Sequence, residues 1–138
     1  MGTTTVKIVV HTKKVQKELD EAIERALLTC GIEAQGNAAD LCHYVTGLLR
    51  NSIAYAVGGE GAVPSTYKAD KSDESGSYSG TAPVDEEGKH TVYLGTNVKY
   101  AQKVELGIGQ REAAPFIEPA IANYVSKYES IIKKELGG

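Results

Sequence analysis

The chain lacks several features that would fix a function class at once. Its 138 residues include no Trp, only two Cys and no surplus of Lys and Arg, so the formal net charge is −3. A dedicated nucleic-acid binder needs such a surplus to neutralise phosphates, and the charge argues against that class. No apolar run approaches the length of a membrane-spanning helix, and the early run at 5–11 is too short for a signal peptide. We therefore expect one domain over residues 1–138, made in the cytoplasm.

The few cysteines and histidines argue against a disulfide and a metal site. Cys30 and Cys42 fall in one predicted helix, which would separate them by roughly 18 Å, beyond disulfide reach. We predict that both are small core residues of a reducing compartment. His11, His43 and His90 are scattered without the spacing of metal ligands. No metal or other cofactor is expected.

Apolar periodicity predicts an α+β fold. Alternating or β-branched apolar residues predict three strands, at 5–11, 52–57 and 90–98, and the last two should pair antiparallel. Apolar steps of three and four predict one long helix from 13 to 44, bent near Gly31 rather than broken there. A second amphipathic pattern predicts a closing helix from 117 to 136. The expected architecture is a small antiparallel sheet of about three to four strands, packed by a long N-terminal helix and a C-terminal helix.

A long segment between the second and third predicted strands has a different composition. Residues 58–89 are rich in Gly, Ser and charged residues and poor in large aliphatic ones. Loops of this length inside a domain tend to be functional or disordered. We predict a flexible insert, which is either a loose hairpin tip or an arm that becomes ordered against a partner, with Tyr67 and Tyr78 as anchors.

The segment 97–121 holds the strongest candidates for chemistry. Its loop GIGQRE, at 107–112, has the glycine spacing of nucleotide-binding loops but lacks their third glycine and the Lys-Ser/Thr of a P-loop. Glu105 is a lone carboxylate, whereas acid–base catalysis needs a partner and a cleft. We therefore favour a Glu105 that fixes the loop by a hydrogen bond or an ion pair, and we expect no enzyme.

Three motifs follow one another along most of the chain: VTGLLRNSI at 45–53, VYLGTNVKYAQKVELGIG at 92–109 and AAPFIEPAI at 113–121. Together they resemble the neck or tail-component proteins of long-tailed bacteriophages. That family's pattern is roughly V-D-T-G-x-L-R-x-S-I, then V-G-T-N-x-x-Y-A-x-x-V-E-x-G-T-G, then A-x-P-F-L-x-P-A. Two features depart from it. Val45 replaces the usual acidic residue, so capping or ion pairing by that carboxylate should be absent, and the insert 58–89 is longer than the usual linker.

The resemblance implies a structural virion protein of the neck or tail, without catalysis. Copies would form an oligomeric ring that connects head-side to tail-side components, namely head-closure or adaptor proteins and tail-terminator or tail-tube proteins. DNA would at most pass through the channel, and no membrane would be involved. Thr46, Gly47 and Arg50 would define a turn of the fold. The implied candidates for subunit contact are Tyr100, Glu105, Gly107, Gly109, Pro115 and Phe116, together with Tyr67 and Tyr78 of the insert.

The same residues suggest how such a contact loop would work. Gly107 and Gly109 would let the backbone turn where a side chain would clash. Pro115 and Pro119 would stiffen the entry to the last helix and reduce the entropy lost on docking. The aromatic residues of the loop would anchor it either to the core or to a neighbouring subunit.

Two other classes of function remain open from the sequence. One is a small hydrolase or nucleotide-binding protein that uses Glu105 with the Gly107 and Gly109 loop. The other is a monomeric binding module whose residues 58–89 fold on a partner.

Overall fold

A computed structural model describes residues 4–9, 17–84, 91–109 and 112–137, and it confirms the α+β class. In chain order the elements are β1 (Thr4–Val9), α1 (Lys17–Leu41), α2 (Leu48–Ser52), β2 (Ala54–Val57), β3 (Thr66–Lys68), β4 (Ser75–Ser77), β5 (Thr91–Thr96), α3 (Ala101–Leu106), α4 (Ile117–Ala122) and α5 (Val125–Glu135). No helix among the described residues is both long and apolar enough to cross a membrane.

The main sheet has three antiparallel strands in the order β1-β5-β2. The expected pairing of the second and third predicted strands is confirmed, with Ala54 opposite Gly95 and Val57 opposite Val92. β1 confirms the first predicted strand up to Val9, and residues 10 and 11 lie outside the described residues. β3 and β4 form a separate two-stranded hairpin within the insert.

α1 runs unbroken from Lys17 to Leu41, which confirms one long helix. The predicted start at 13–16 lies outside the described residues, and the helix ends three residues before the predicted 44. Gly31 sits inside the helix because the ring of Tyr55 packs against its backbone. A Cβ added there would lie 2.5 Å from Tyr55 Cδ2. The glycine therefore trades helix propensity, about 1 kcal/mol relative to Ala, for close packing between helix and sheet.

The core lies between α1 and one face of the sheet and continues under α4 and α5. Ile23 and Leu27 of α1 pack with Tyr55, Val57 and Val92. A larger cluster joins the second half of α1 to the elements that follow the sheet, and its members include Cys30, Leu94, Val104, Phe116, Ile117 and Tyr128. Each fully buried large side chain contributes about 1.5–3 kcal/mol through the hydrophobic effect.

Three features of the fold differ from the structure that the apolar periodicity predicts. The short helices α2 and α3 stand where the sequence predicted a turn and a loop. The closing helix is divided into α4 and α5 by a turn at Asn123 and Tyr124. β2 begins at Ala54, two residues after the predicted start, because Ser52 belongs to α2. Its alternation predicted one exposed face, but all four of its residues are buried, because residues 78–83 of the insert lie across the outer face of the sheet.

Candidate subunit-contact loop

Glu105 holds together the two ends of the loop between α3 and α4. Its Oε1 accepts hydrogen bonds from the backbone N–H groups of Phe116 and Ile117, each at 2.9 Å, and its Oε2 accepts one from Glu118 at 3.0 Å. These donors belong to the start of α4, where N–H groups have no partner within the helix. The predicted hydrogen-bonding role is confirmed, because the buried carboxylate caps a helix eleven positions further along the chain. As a candidate for subunit contact Glu105 is corrected, because its side chain is buried within its own chain.

Gly107 makes the turn that follows α3. Its φ is +68°, in the left-handed region that favours glycine, and its N–H donates to Lys103 O at 2.9 Å. A Cβ at this position would lie 2.6 Å from Ala113 N. Gly109 has a φ of +83° with open space around it. The tight turn expected at both glycines is confirmed, and only at Gly107 does the far side of the loop fill the space of a side chain.

Phe116 is directed inwards, at the beginning of α4. Its side chain is completely buried in the cluster that includes Ile117 and Ala120. As a candidate for subunit contact it is therefore corrected: the ring anchors the loop to the core, and no neighbour reaches it in this fold. Pro115, immediately before it, is exposed.

Large apolar side chains point outwards from α3 and its turn. Leu106 is 59% exposed, Ile108 46% and Tyr100 41%. Lys99 and Lys103 are exposed beside them. Leu106 and Ile108 were not among the sequence candidates. In a stretch of apolar residues, the sequence does not show which side chains point to the core and which point to solvent. The loop thus combines an inner side fixed to the core with an apolar outer side.

The predicted turn at Thr46, Gly47 and Arg50 is held by the insert. Thr46 O accepts hydrogen bonds from Asp70 N at 2.9 Å and Lys71 N at 3.0 Å. Gly47 has a φ of +90°, and a Cβ there would lie 2.6 Å from Asp70 Oδ2. The backbone of the insert therefore passes directly over the turn.

The carboxylate of Asp70 is the centre of this contact. It accepts hydrogen bonds from Asn51 at 2.9 Å and Tyr44 at 3.1 Å, and it pairs with Arg50 at 3.3 Å. The Arg50 guanidinium also stacks on the Tyr44 ring, 4.1 Å from its centroid. The hydrogen bonds from Asn51 and Tyr44 hold the pKa of Asp70 below its ordinary value. Asp70 thus joins the insert to three side chains on and beside the 46–50 turn.

The two tyrosines of the insert contact their own domain. Tyr67 Oη donates to Asn97 Oδ1 at 2.6 Å, and Tyr78 Oη donates to Ser52 O. Asn97 Nδ2 returns a hydrogen bond to Ser77 O at 2.9 Å. Residues 58–84 therefore pack on the rest of the same chain. They form neither the loose hairpin tip nor the arm ordered only by a partner that the sequence predicted. Residues 85–89 lie outside the described residues.

The thiols and histidines form no site in the described part of the chain. Cys30 and Cys42 are buried and free, as predicted. Burial raises the pKa of both thiols to about 11, so they stay protonated at neutral pH. No group of three potential metal ligands occurs among the described residues. His43 is exposed, whereas His11 and His90 lie outside them.

Cavities open at several places on the described surface, and two of them lie beside the main sheet and the 46–50 turn. One, of about 260 Å³, lies between the outer face of the sheet and residues 79–83, and mostly Ala, Gly, Ser, Thr and Tyr line it. The other, of about 230 Å³, lies beside the 46–50 turn, with Val45, Tyr100, His43 and Glu74 in its wall. Glu105 lines neither cavity, because its carboxylate faces the start of α4.

Comparison of the chain with family models, curated proteins and solved structures yields no match.

Proposed function

We propose that the chain is a structural subunit of the neck or upper tail of a tailed phage or a phage-derived tail particle. Copies form an oligomeric ring that connects head-side to tail-side components. The resemblance of the three motifs supports this proposal. The protein works by shape, self-association and docking to adjoining rings, and it takes no cofactor.

The observation that carries the proposal is the two-sided build of the second half of α3 and the turn that follows it, up to Gly109. Its conspicuous polar residue, Glu105, uses both carboxylate oxygens on backbone N–H groups. Its apolar residues Leu106 and Ile108 are exposed to solvent instead. A chemical site needs an accessible polar group in a cleft, whereas a docking site needs an apolar surface on a rigid support. The end of α3 and the described turn after it have the second arrangement.

The enzyme alternative fits the same loop less well. A phosphate cradle needs several N–H groups that point at the ligand, and the N–H groups at the start of α4 already donate to Glu105. The partner-binding alternative relied on a free insert, and the described part of the insert packs on its own domain. Both observations favour the assembly role.

Deleting the gene from the genome that encodes the chain tests the function. Lysates of the deletion strain should accumulate heads and tails that fail to join. The wild-type gene supplied in trans should restore joining. Leu106→Asp/Ile108→Asp should fold but fail to restore it. Leu136→Asp, which changes an exposed apolar residue after α5, is the matched control and should restore it. Normal joined particles in the deletion strain would rule out the proposal.

A further inference from the structure

We infer that neighbouring copies meet through two different surfaces, one around α3 and one along α1. The first surface, the α3 corner, consists of Lys99, Tyr100, Lys103, Leu106 and Ile108. The second, the α1 stripe, consists of Glu21, Glu24, Leu28 and Ile32. The inference rests on the proposed function, because it assigns the faces through which the ring assembles.

The α3 corner is apolar at its centre and basic at its edge. Leu106, Ile108 and Tyr100 are its exposed apolar groups. Lys99 stands in the turn just before α3, and Lys103 lies within α3, three positions before Leu106 and on the same side of the helix. Neither lysine has an ion-pair partner among the described residues. The acidic residue of α3, Glu105, is buried, so the exposed charge of this helix is positive.

The α1 stripe has the opposite charge around a similar apolar centre. Leu28 and Ile32 are 37% and 56% exposed and stand one helical turn apart. Glu21 and Glu24 extend the same face toward the start of the helix, and neither carboxylate has an ion-pair partner among the described residues.

The flank of α1 beside α5 is neutralised by ion pairs instead. Arg25 pairs with Glu135 at 2.6 Å, and Glu33 pairs with Lys127 at 3.2 Å. These two pairs balance charge along that flank, whereas Glu21 and Glu24 at the start of the α1 stripe are not balanced by an ion pair within the described residues.

Charge complementarity selects the pairing of the two surfaces. Two α3 corners placed together would oppose Lys99 and Lys103 to the same lysines, and two α1 stripes would oppose their glutamates. Such like-charge contacts disfavour both symmetric dimers. A corner placed on a stripe sets lysines against glutamates and apolar groups against apolar groups. Contacts between two different faces run head to tail, and they close into a ring when the rotation from one copy to the next completes a full turn.

Two charge-reversal variants test this assignment by sedimentation velocity at low salt over a concentration series. One is K99E/K103E, which makes the corner acidic, and the other is E21K/E24K, which makes the stripe basic. All four residues lie at the surface, so circular dichroism should show native folding. K133E/K134E, on exposed residues of α5, is the control with the same charge change as the first variant.

Wild type and the control should associate, and each reversed variant alone should associate at least about tenfold more weakly. In a one-to-one mixture an acidic corner meets a basic stripe, and a basic corner meets an acidic stripe. The mixture should therefore regain the association that each variant has lost. Symmetric contacts cannot give this result, because one of the two variants would then associate as wild type does.

Three results would overturn the assignment: a variant that associates like wild type, a mixture that stays dissociated, or a wild-type chain that stays monomeric up to about 1 mM, a concentration that reveals even weak binding. If wild type forms a ring that neither reversal disturbs, only the choice of faces fails. The function itself fails separately, in the deletion experiment on particles.

Discussion

Glu105 stabilises a loop by capping a helix that lies across the loop from it. The three N–H groups it accepts from include the buried groups of Phe116 and Ile117. A buried donor without an acceptor costs about 1–3 kcal/mol, so the carboxylate secures both the loop and the position of the Phe116 ring in the core. The residue has a structural role here, although a lone carboxylate beside a glycine-rich turn was also the best candidate for a catalytic acid.

Removing this cap should destabilise the whole fold. We expect Glu105→Ala to lower the free energy of unfolding by roughly 2–4 kcal/mol, because several donors at the start of α4 lose their acceptor together. Glu112→Ala removes an exposed carboxylate from the same loop and should change it by less than about 0.5 kcal/mol. Urea denaturation of both variants measures the difference, and equal effects would contradict the capping role.

The two glycines of the loop should respond unequally to alanine. Both need positive φ, which costs a residue with a Cβ about 1 kcal/mol. At Gly107 the added atom also meets the Ala113 backbone, so we expect Gly107→Ala to cost roughly 2–4 kcal/mol and Gly109→Ala about 1 kcal/mol. Thermal and urea unfolding check this order, and a Gly109 effect as large as that of Gly107 would show that the close approach is absent.

Sequence reasoning at this scale succeeded where a single residue type limits the options. A lone carboxylate in a glycine-rich turn predicted a hydrogen bond, and the structure confirms it at Glu105. Asp70 was missed because it is one acid among several in a polar insert, and its partners Arg50 and Asn51 lie about twenty positions away. No local pattern records such a distant pairing.

The insert is the element whose structure departs most from its composition. A polar segment usually cannot bury enough apolar surface to order itself. Here Tyr67 and Tyr78 donate hydrogen bonds to the body, and Asp70 joins three side chains around the 46–50 turn. A small number of polar contacts therefore hold the described part of the insert, residues 58–84, against the rest of the domain.

Removing the Asp70 charge should increase the local opening of the insert around Asp70 without unfolding the domain. We expect Asp70→Asn to increase hydrogen exchange at the amides of Asp70 and Lys71, which donate to Thr46 O, while amides of α1 change little. Asp73→Asn, at a nearby exposed carboxylate, is the control and should leave these amides protected. Nuclear magnetic resonance exchange rates measure both.

The effect should also depend on pH with a definite sign. The folded pKa of Asp70 is lowered, so its contribution is complete above the ordinary Asp pKa of about 3.9 and is lost as the pH falls through the lowered value. The difference between wild type and Asp70→Asn should therefore disappear in strong acid. A difference that grows as the pH falls would contradict the assignment.

Periodicity predicted the long elements and missed the short ones. The buried apolar positions of α1 recur over many helical turns, so their period is recognisable in spite of the two glycines. α2 and α3 have five and six residues, too few to show two full helical periods. The turn between α4 and α5 was missed because the apolar spacing continues through it. The burial of both faces of β2 depends on the insert, and a strand's own sequence does not show what covers it.

At the scale of the whole molecule, exposed apolar side chains occur both on α1 and around α3, and others lie elsewhere on the described surface, such as Val63, Val125 and Leu136. A subunit that binds the next copy through two different faces assembles head to tail, whereas a subunit that binds through one self-complementary face forms a closed dimer. The net charge of −3 suits a ring that lets DNA pass, since a strongly basic channel would hold phosphates. The proposed function therefore requires the assembled ring.

Electron microscopy of tail particles with this chain labelled tests the central claim most directly. The account predicts a closed ring of copies at the head–tail junction or upper tail, in which the outer side of the α3–α4 loop touches another subunit. A chain absent from purified particles, or one whose loop faces solvent beside a bound small molecule, would contradict it.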